Sequence, residues 1–153
     1  MKEILGVGDE PQTQRRWFHD EFFDLFVWQT REGEVTLFQL CYGMDSSERA
    51  LVWSKHGGLF HDGAEPGTPG FEEFIGSKLR PGDPLSADPV GARFEETAAS
   101  LPPDIRDIVT EKILEYSAKR WAVPSRRKRF RRAAWQRRPP GSVSEPGSSE
   151  KSA

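Results

Sequence analysis

Three histidines, His19, His56 and His61, lie near the acids Asp20, Asp24 and Asp62. They form the set in this chain with the makings of a metal site or an acid–base pair, since imidazole is the side chain most easily tuned to work near neutral pH. The spacing argues against both uses. His56 and His61 are five positions apart across Gly57-Gly58, which is neither the i, i+4 pair of a helical metal site nor a finger spacing. Two histidines at loop or strand ends is the plainer reading. The chemistry left open is a metal-dependent hydrolase using His56 and His61 with Asp62. Cys41 would be a nucleophile with a histidine beside it. It stands between Leu40 and Tyr42 with no neighbour in sequence to lower its pKa, and reads as a small buried apolar residue. As the single cysteine it excludes an intramolecular disulfide and any cysteine-cluster zinc site.

A different kind of candidate is Gln39, an amide in an apolar run, FQLCY. A buried amide must find hydrogen-bond partners, from a neighbouring loop or from a ligand. Trp28, Tyr42 and Trp53 are first of all core residues. With Gln39 and His61 they are also the ligand-binding candidates to test if the sheet presents a surface. Phosphate cradles of the GxxxxGK[ST] kind and the GxSxG nucleophile elbow are absent. No catalytic residue, metal ligand or cofactor is assigned on these grounds.

The sharpest feature is electrostatic. Arg126, Arg127, Lys128, Arg129, Arg131, Arg132, Arg137 and Arg138 surround Phe130 and Trp135. Residues 121–140 hold eight basic and no acidic side chains, whereas residues 1–120 hold 13 basic against 22 acidic, so a net −2 conceals an acidic body and a basic segment. Cations interleaved with aromatics suit phosphates and bases, which makes nucleic acid or another polyanion the candidate partner of residues 126–138. An anionic lipid surface and the acidic body itself are the other candidates.

These residues need elements to hold them. Leu25-Phe26-Val27-Trp28 and VTLFQLCY, joined by a turn at Thr30-Arg31-Glu32-Gly33-Glu34, read as a hairpin over 24–42 with Gly33 supplying a positive φ. Val35, Leu37, Gln39 and Cys41 alternate with Thr36, Phe38, Leu40 and Tyr42. Both faces are largely apolar, so this strand is expected to be central and covered on both sides. RALVWS (49–54) and Leu59-Phe60-His61 extend the meander. Phe71, Phe74, Ile75 and Leu79 have helical spacing, residues 80–91 read as irregular because of Pro81, Pro84 and Pro89, with an extended piece at 84–87, and 94–99 as a turn or two of helix. Ile105, Ile108, Val109, Ile113 and Tyr116 form one apolar stripe behind Pro102-Pro103, the strongest helix in the chain.

With those residues assembled, the chain resembles a group of small uncharacterised bacterial proteins. The likeness is carried by Trp17-Phe18 with Asp20, Asp24-Leu25 with Val27-Trp28, Phe38-Gln39-Leu40-Cys41-Tyr42, and Glu48 with Ala50-Leu51 and Trp53; it extends to Leu101-Pro102 and the helix ending near Tyr116. The resemblance implies a bacterial source and a shared α+β fold, and no catalytic residue.

The expected architecture is α+β: an antiparallel β-meander of three to five strands with a C-terminal amphipathic helix packed on one face. Residues 1–16 read as a flexible lead-in, 17–123 as one domain, and 124–153 as a basic tail of disordered composition. With no apolar signal core and no membrane-length apolar run, a cytoplasmic protein is expected. A non-catalytic binding or interaction module is the expected function.

Overall fold

The computed structural model describes residues 1–6, 12–43, 48–62 and 74–119, together with the backbone of Ser125–Arg126. The hairpin comes first in the argument. Strand β3 spans Asp24–Thr30 and β4 spans Val35–Tyr42. The turn between them places Gly33 at φ +97°, where its N–H reaches Thr30 O at 2.9 Å. A side chain at that φ would strain the backbone. Opposite β4 lies β5, Arg49–Ser54, and then β6, Gly58–Asp62.

The sheet is larger than the three to five strands expected. Strands β1, Lys2–Ile4, and β2, Thr13–His19, pair antiparallel with each other, and β2 pairs with β3, giving a six-strand antiparallel meander in sequence order. A two-residue strand β7, Ser125–Arg126, adds parallel to the edge of β6. Residues 2–4 and 13–16, read from sequence as part of a flexible lead-in, therefore carry strands. The apolar pattern missed β2 because Gln14, Arg15 and Arg16 are polar. Arg16 nonetheless keeps its guanidinium at 2.9 Å from Glu3 on β1 and 5.1 Å above the Phe18 ring, its stem lying along the sheet.

The 20–23 connection carries Phe22 and Phe23. Asp20 Oδ1 accepts from the N–H groups of Phe22 and Phe23 at 2.7 and 2.6 Å, a side-chain turn that fixes the corner.

Two helices follow. Helix α1 spans Pro89–Ala98 and α2 spans Pro103–Lys119. The first residues of α1 lie in the 80–91 stretch expected to be irregular, while its second half falls where the 94–99 helical turns were expected. Pro89 instead sits in the first turn, where a missing N–H costs nothing, after a short 3₁₀ turn at Leu85–Ala87 in place of the expected extended piece. Asp88 makes this possible. Wholly buried, its carboxylate accepts from Gly91 N at 2.8 Å to cap α1 and from Gly76 N and Lys78 N at 3.1 and 3.0 Å. That second pair of bonds holds residues 74–79 as turns rather than the helix their spacing implied; Phe71 lies outside the described residues. Gly91 is needed here because a Cβ would come to 2.5 Å from Leu85 O.

Burial divides into two clusters. The larger one joins Leu25, Val27, Phe38, Leu40 and Leu51 of the sheet with Phe94 and Ala98 of α1 and Ile105, Val109, Ile113 and Tyr116 of α2. The smaller one consists of Phe26, Cys41, Ala50 and Val52, with Trp17, Trp28, Leu37 and Phe60 packed against it, and contains no helix residue. Alternate residues of each central strand thus go to opposite sides, as a period of two requires. Among the described residues no helix is long and apolar enough to cross a membrane.

Candidate functional site

Of the five ligand-binding candidates, the structure brings two into contact. Tyr42 ends β4 and His61 lies on β6, two strands away; both point into the helix-side cluster, 0% and 1% exposed. Tyr42 Oη lies 2.6 Å from His61 Nε2 and accepts from Ile75 N at 2.7 Å. Beyond the lone pair that Ile75 N–H uses, the hydroxyl keeps a proton and a second lone pair, so the direction of its bond to Nε2 is set by the imidazole tautomer. Nδ1 is buried with no hydrogen-bond partner. The His61 ring stacks on Tyr116 of α2 at 5.1 Å.

Burial pushes the His61 pKa down to about 3; Arg49 adds to the effect and the Asp62 backbone offsets only part of it. Burial likewise drives the Tyr42 hydroxyl well above its ordinary value, against the Ile75 hydrogen bond that lowers it. Both groups are neutral across the ordinary pH range. Enclosed in the core, Tyr42 and His61 form a polar tie that joins β4, β6 and the backbone at Ile75.

The other histidines go elsewhere. His56 is exposed in the β5–β6 turn. His19 Nδ1 lies 2.7 Å from Asp24 Oδ1, which also accepts from Trp17 Nε1 at 2.7 Å. Among the described residues no group of three or more His, Cys, Asp or Glu side chains could hold a metal ion. Cys41 is 1% exposed among Phe26, Ala50 and Val52.

Trp53 packs at the margin of the helix-side cluster, with Lys112 Nζ 5.0 Å above its ring. It lines a cleft of about 360 Å³ with Val35 and Ile108, whose mouth carries Glu34, Lys55 and Asp104. The charges at the mouth are partly spent on each other, Lys55 Nζ lying 2.7 Å from Glu34 Oε2.

Trp28 and Gln39 lie on the side without helices. Phe26 pairs with Gln39, Gln39 with Val52, and Val52 with Phe60, so a row crosses β3 to β6 with Gln39 inside it. Trp17, paired with Phe26, extends the row to β2 and stacks on it at 5.7 Å. Gln39 Oε1 is buried and has no donor among the described residues. Around it, Trp17, Trp28, Leu37 and Phe60 are half-buried. Sequence reasoning named Trp28 and Gln39 and missed Trp17, Leu37 and Phe60 as their neighbours. The alternation in each strand was visible, but only the register aligns the strands.

Of the basic candidates, Arg127, Lys128, Arg129, Arg131, Arg132, Arg137 and Arg138 lie outside the described residues, and Arg126 is described only as backbone, level with Asp62. Compared with known proteins, the chain matches no family model, no curated protein and no solved structure.

Proposed function

We propose that this protein is a non-catalytic interaction module that works through the helix-free face of its sheet, α2 lying across the opposite face, and that it belongs with the small bacterial proteins it resembles. The observation that carries the reading is the strand-only patch. Four fully packed residues, Phe26, Cys41, Ala50 and Val52, are rimmed by half-buried Trp17, Trp28, Leu37 and Phe60. Gln39 Oε1 lies in their midst as an acceptor to which no described residue donates. Aromatic anchors around a desolvated polar atom are the composition of interface centres. A buried acceptor that costs stability when unpaired gains most from an occupant that brings an N–H or O–H.

The hydrolase alternative is not adopted. His61 is enclosed and bonded to Tyr42, and His56 stands exposed in a turn. Association with nucleic acid through residues 126–138 rests on charge alone.

The test is photo-crosslinking in living cells with p-benzoylphenylalanine in place of Trp28. A discrete covalent adduct is expected there, and none when the same residue replaces Glu111, which is exposed on α2. Equal labelling at the two positions would remove the reading.

A further inference from the structure

We propose that the helix-free face is occupied by the chain's own basic segment, residues 127–140, docked through Phe130 and Trp135. The proposal rests on the reading that this face is a binding face, and names its resident occupant.

The first argument is burial. Phe26, Cys41, Ala50 and Val52 are 0–3% exposed although neither helix belongs to their cluster. A sheet face with an apolar centre of this kind calls for a covering layer.

The second is delivery. Strand β7 brings the backbone to the free edge of β6, with His61 opposite Ser125 and Asp62 opposite Arg126. Arg126, the last residue of β7, is thus level with Asp62, two positions beyond Phe60 of the patch. From β6 to β2 is four strand spacings, about 19 Å, and fourteen extended residues reach about 46 Å. The segment can cross the whole face.

The third is chemistry. Residues 127–140 carry seven basic and no acidic side chains with Phe130 and Trp135 among them, while residues 1–120 carry a net −9. Aromatics suit the Trp28 rim, guanidinium and indole N–H groups suit the open acceptor of Gln39, and the cations suit the acidic body.

The other stretches outside the described residues are poorer candidates. Residues 63–73 run from Asp62 to Phe74, which sits in the helix-side cluster. Residues 44–47 and 120–124 are four- and five-residue connections, and residues 7–11 contain a single large apolar residue, Val7.

The experiment uses the purified full chain at low concentration, with p-benzoylphenylalanine at Trp28, and maps the photo-adduct by mass spectrometry. An intramolecular adduct within 127–140 is the expected result. An adduct to a second copy, or to any other segment of the same chain, overturns the proposal. If the purified chain gives no adduct while the cellular experiment gives one to another polypeptide, the occupant is a separate partner: this proposal falls and the interaction face stands. If neither gives an adduct, both fall. A second measurement uses the single cysteine in the natural sequence. Cys41 lies beneath the patch, and replacing Phe130 and Trp135 together by Ser in the full chain should speed its reaction with a thiol reagent by about tenfold or more, as protection against opening is lost. An unchanged rate in a variant with native circular dichroism overturns the proposal; if that variant loses its fold, the crosslink map alone decides.

Discussion

On the side of the sheet that carries Leu25, Phe38, Leu40 and Leu51, the strands share their core with α1 and α2. On the side that carries Phe26, Cys41, Ala50 and Val52 they share it with no helix. The two sides also treat their polar groups differently. The helix side contains Tyr42 and His61, tied to each other, and its capping carboxylate, Asp88, receives three backbone N–H groups. On the other side no described residue donates to Gln39 Oε1. One face is organised for stability, with its polar atoms used to bind elements together. The other combines large aromatics with an acceptor to which no described residue donates, the combination on which the proposed docking rests.

The largest expected effects break this comparison most directly. Phe94→Ala empties a fully buried site between α1 and the sheet and should cost about 3–5 kcal/mol, whereas Phe60→Ala on the half-covered side should cost under about 2 kcal/mol. Equal costs in urea unfolding would mean that the two faces are equally structural.

His61 gives the next effect. Its pKa is near the ordinary 6.5 when unfolded and about 3 when folded, so between those values the unfolded chain binds a proton that the folded chain refuses. Stability from the neutral ring is complete above about pH 6.5 and is lost as pH falls toward 3, several kcal/mol in all. His61→Gln should flatten stability against pH in that window. Parallel profiles for the two proteins would show that the ring is not the cause.

Tyr42→Phe leaves Ile75 N–H and His61 Nε2 without their shared partner and should cost about 1–3 kcal/mol, read as a lowered unfolding midpoint. Smallest is Gln39→Leu, which removes a buried acceptor that no donor satisfies. It should leave stability within about 1 kcal/mol of the parent, or raise it, while weakening crosslinking from position 28. A large destabilisation would sharpen the comparison the other way, giving Gln39 a structural partner.

Much of the scaffold was legible. The hairpin over 24–42, the strands at 49–54 and 58–62, and α2 all follow from periodicity and turn chemistry, because each has a local pattern strong enough to be seen alone. Strand β2 did not show. Thr13 to Arg16 has a strand's geometry only because β1 and β3 offer hydrogen bonds on either side and Glu3 receives the Arg16 guanidinium. Nor did the start of α1, where Pro89, read as a breaker, leads into a helix capped by Asp88, although the helical turns over 94–98 did show. Within the candidate sites, Tyr42 and His61 were each singled out as ligand residues, yet nineteen residues of separation hid that they spend their polar atoms on each other. Trp28 and Gln39 were placed correctly in a central strand pair, but the neighbours that make them a patch come from β2, β4 and β6.

What the sequence determined by itself is that the strand from Val35 to Tyr42 would be buried on both sides, since its alternating positions are apolar in both registers. It also determined that a basic, aromatic-bearing segment would follow an acidic body. It did not determine which side would receive the helices. A period-two pattern with two apolar faces is symmetric between them, and local propensity offers no means of choosing. The choice came from tertiary contacts: Phe23 meeting Phe94, Tyr116 stacking on His61, and Ile75 N–H finding Tyr42. Those contacts place residues of α1 and α2 in the cluster of Leu25, Phe38, Leu40 and Leu51, and no described helix residue joins the cluster of Phe26, Cys41, Ala50 and Val52.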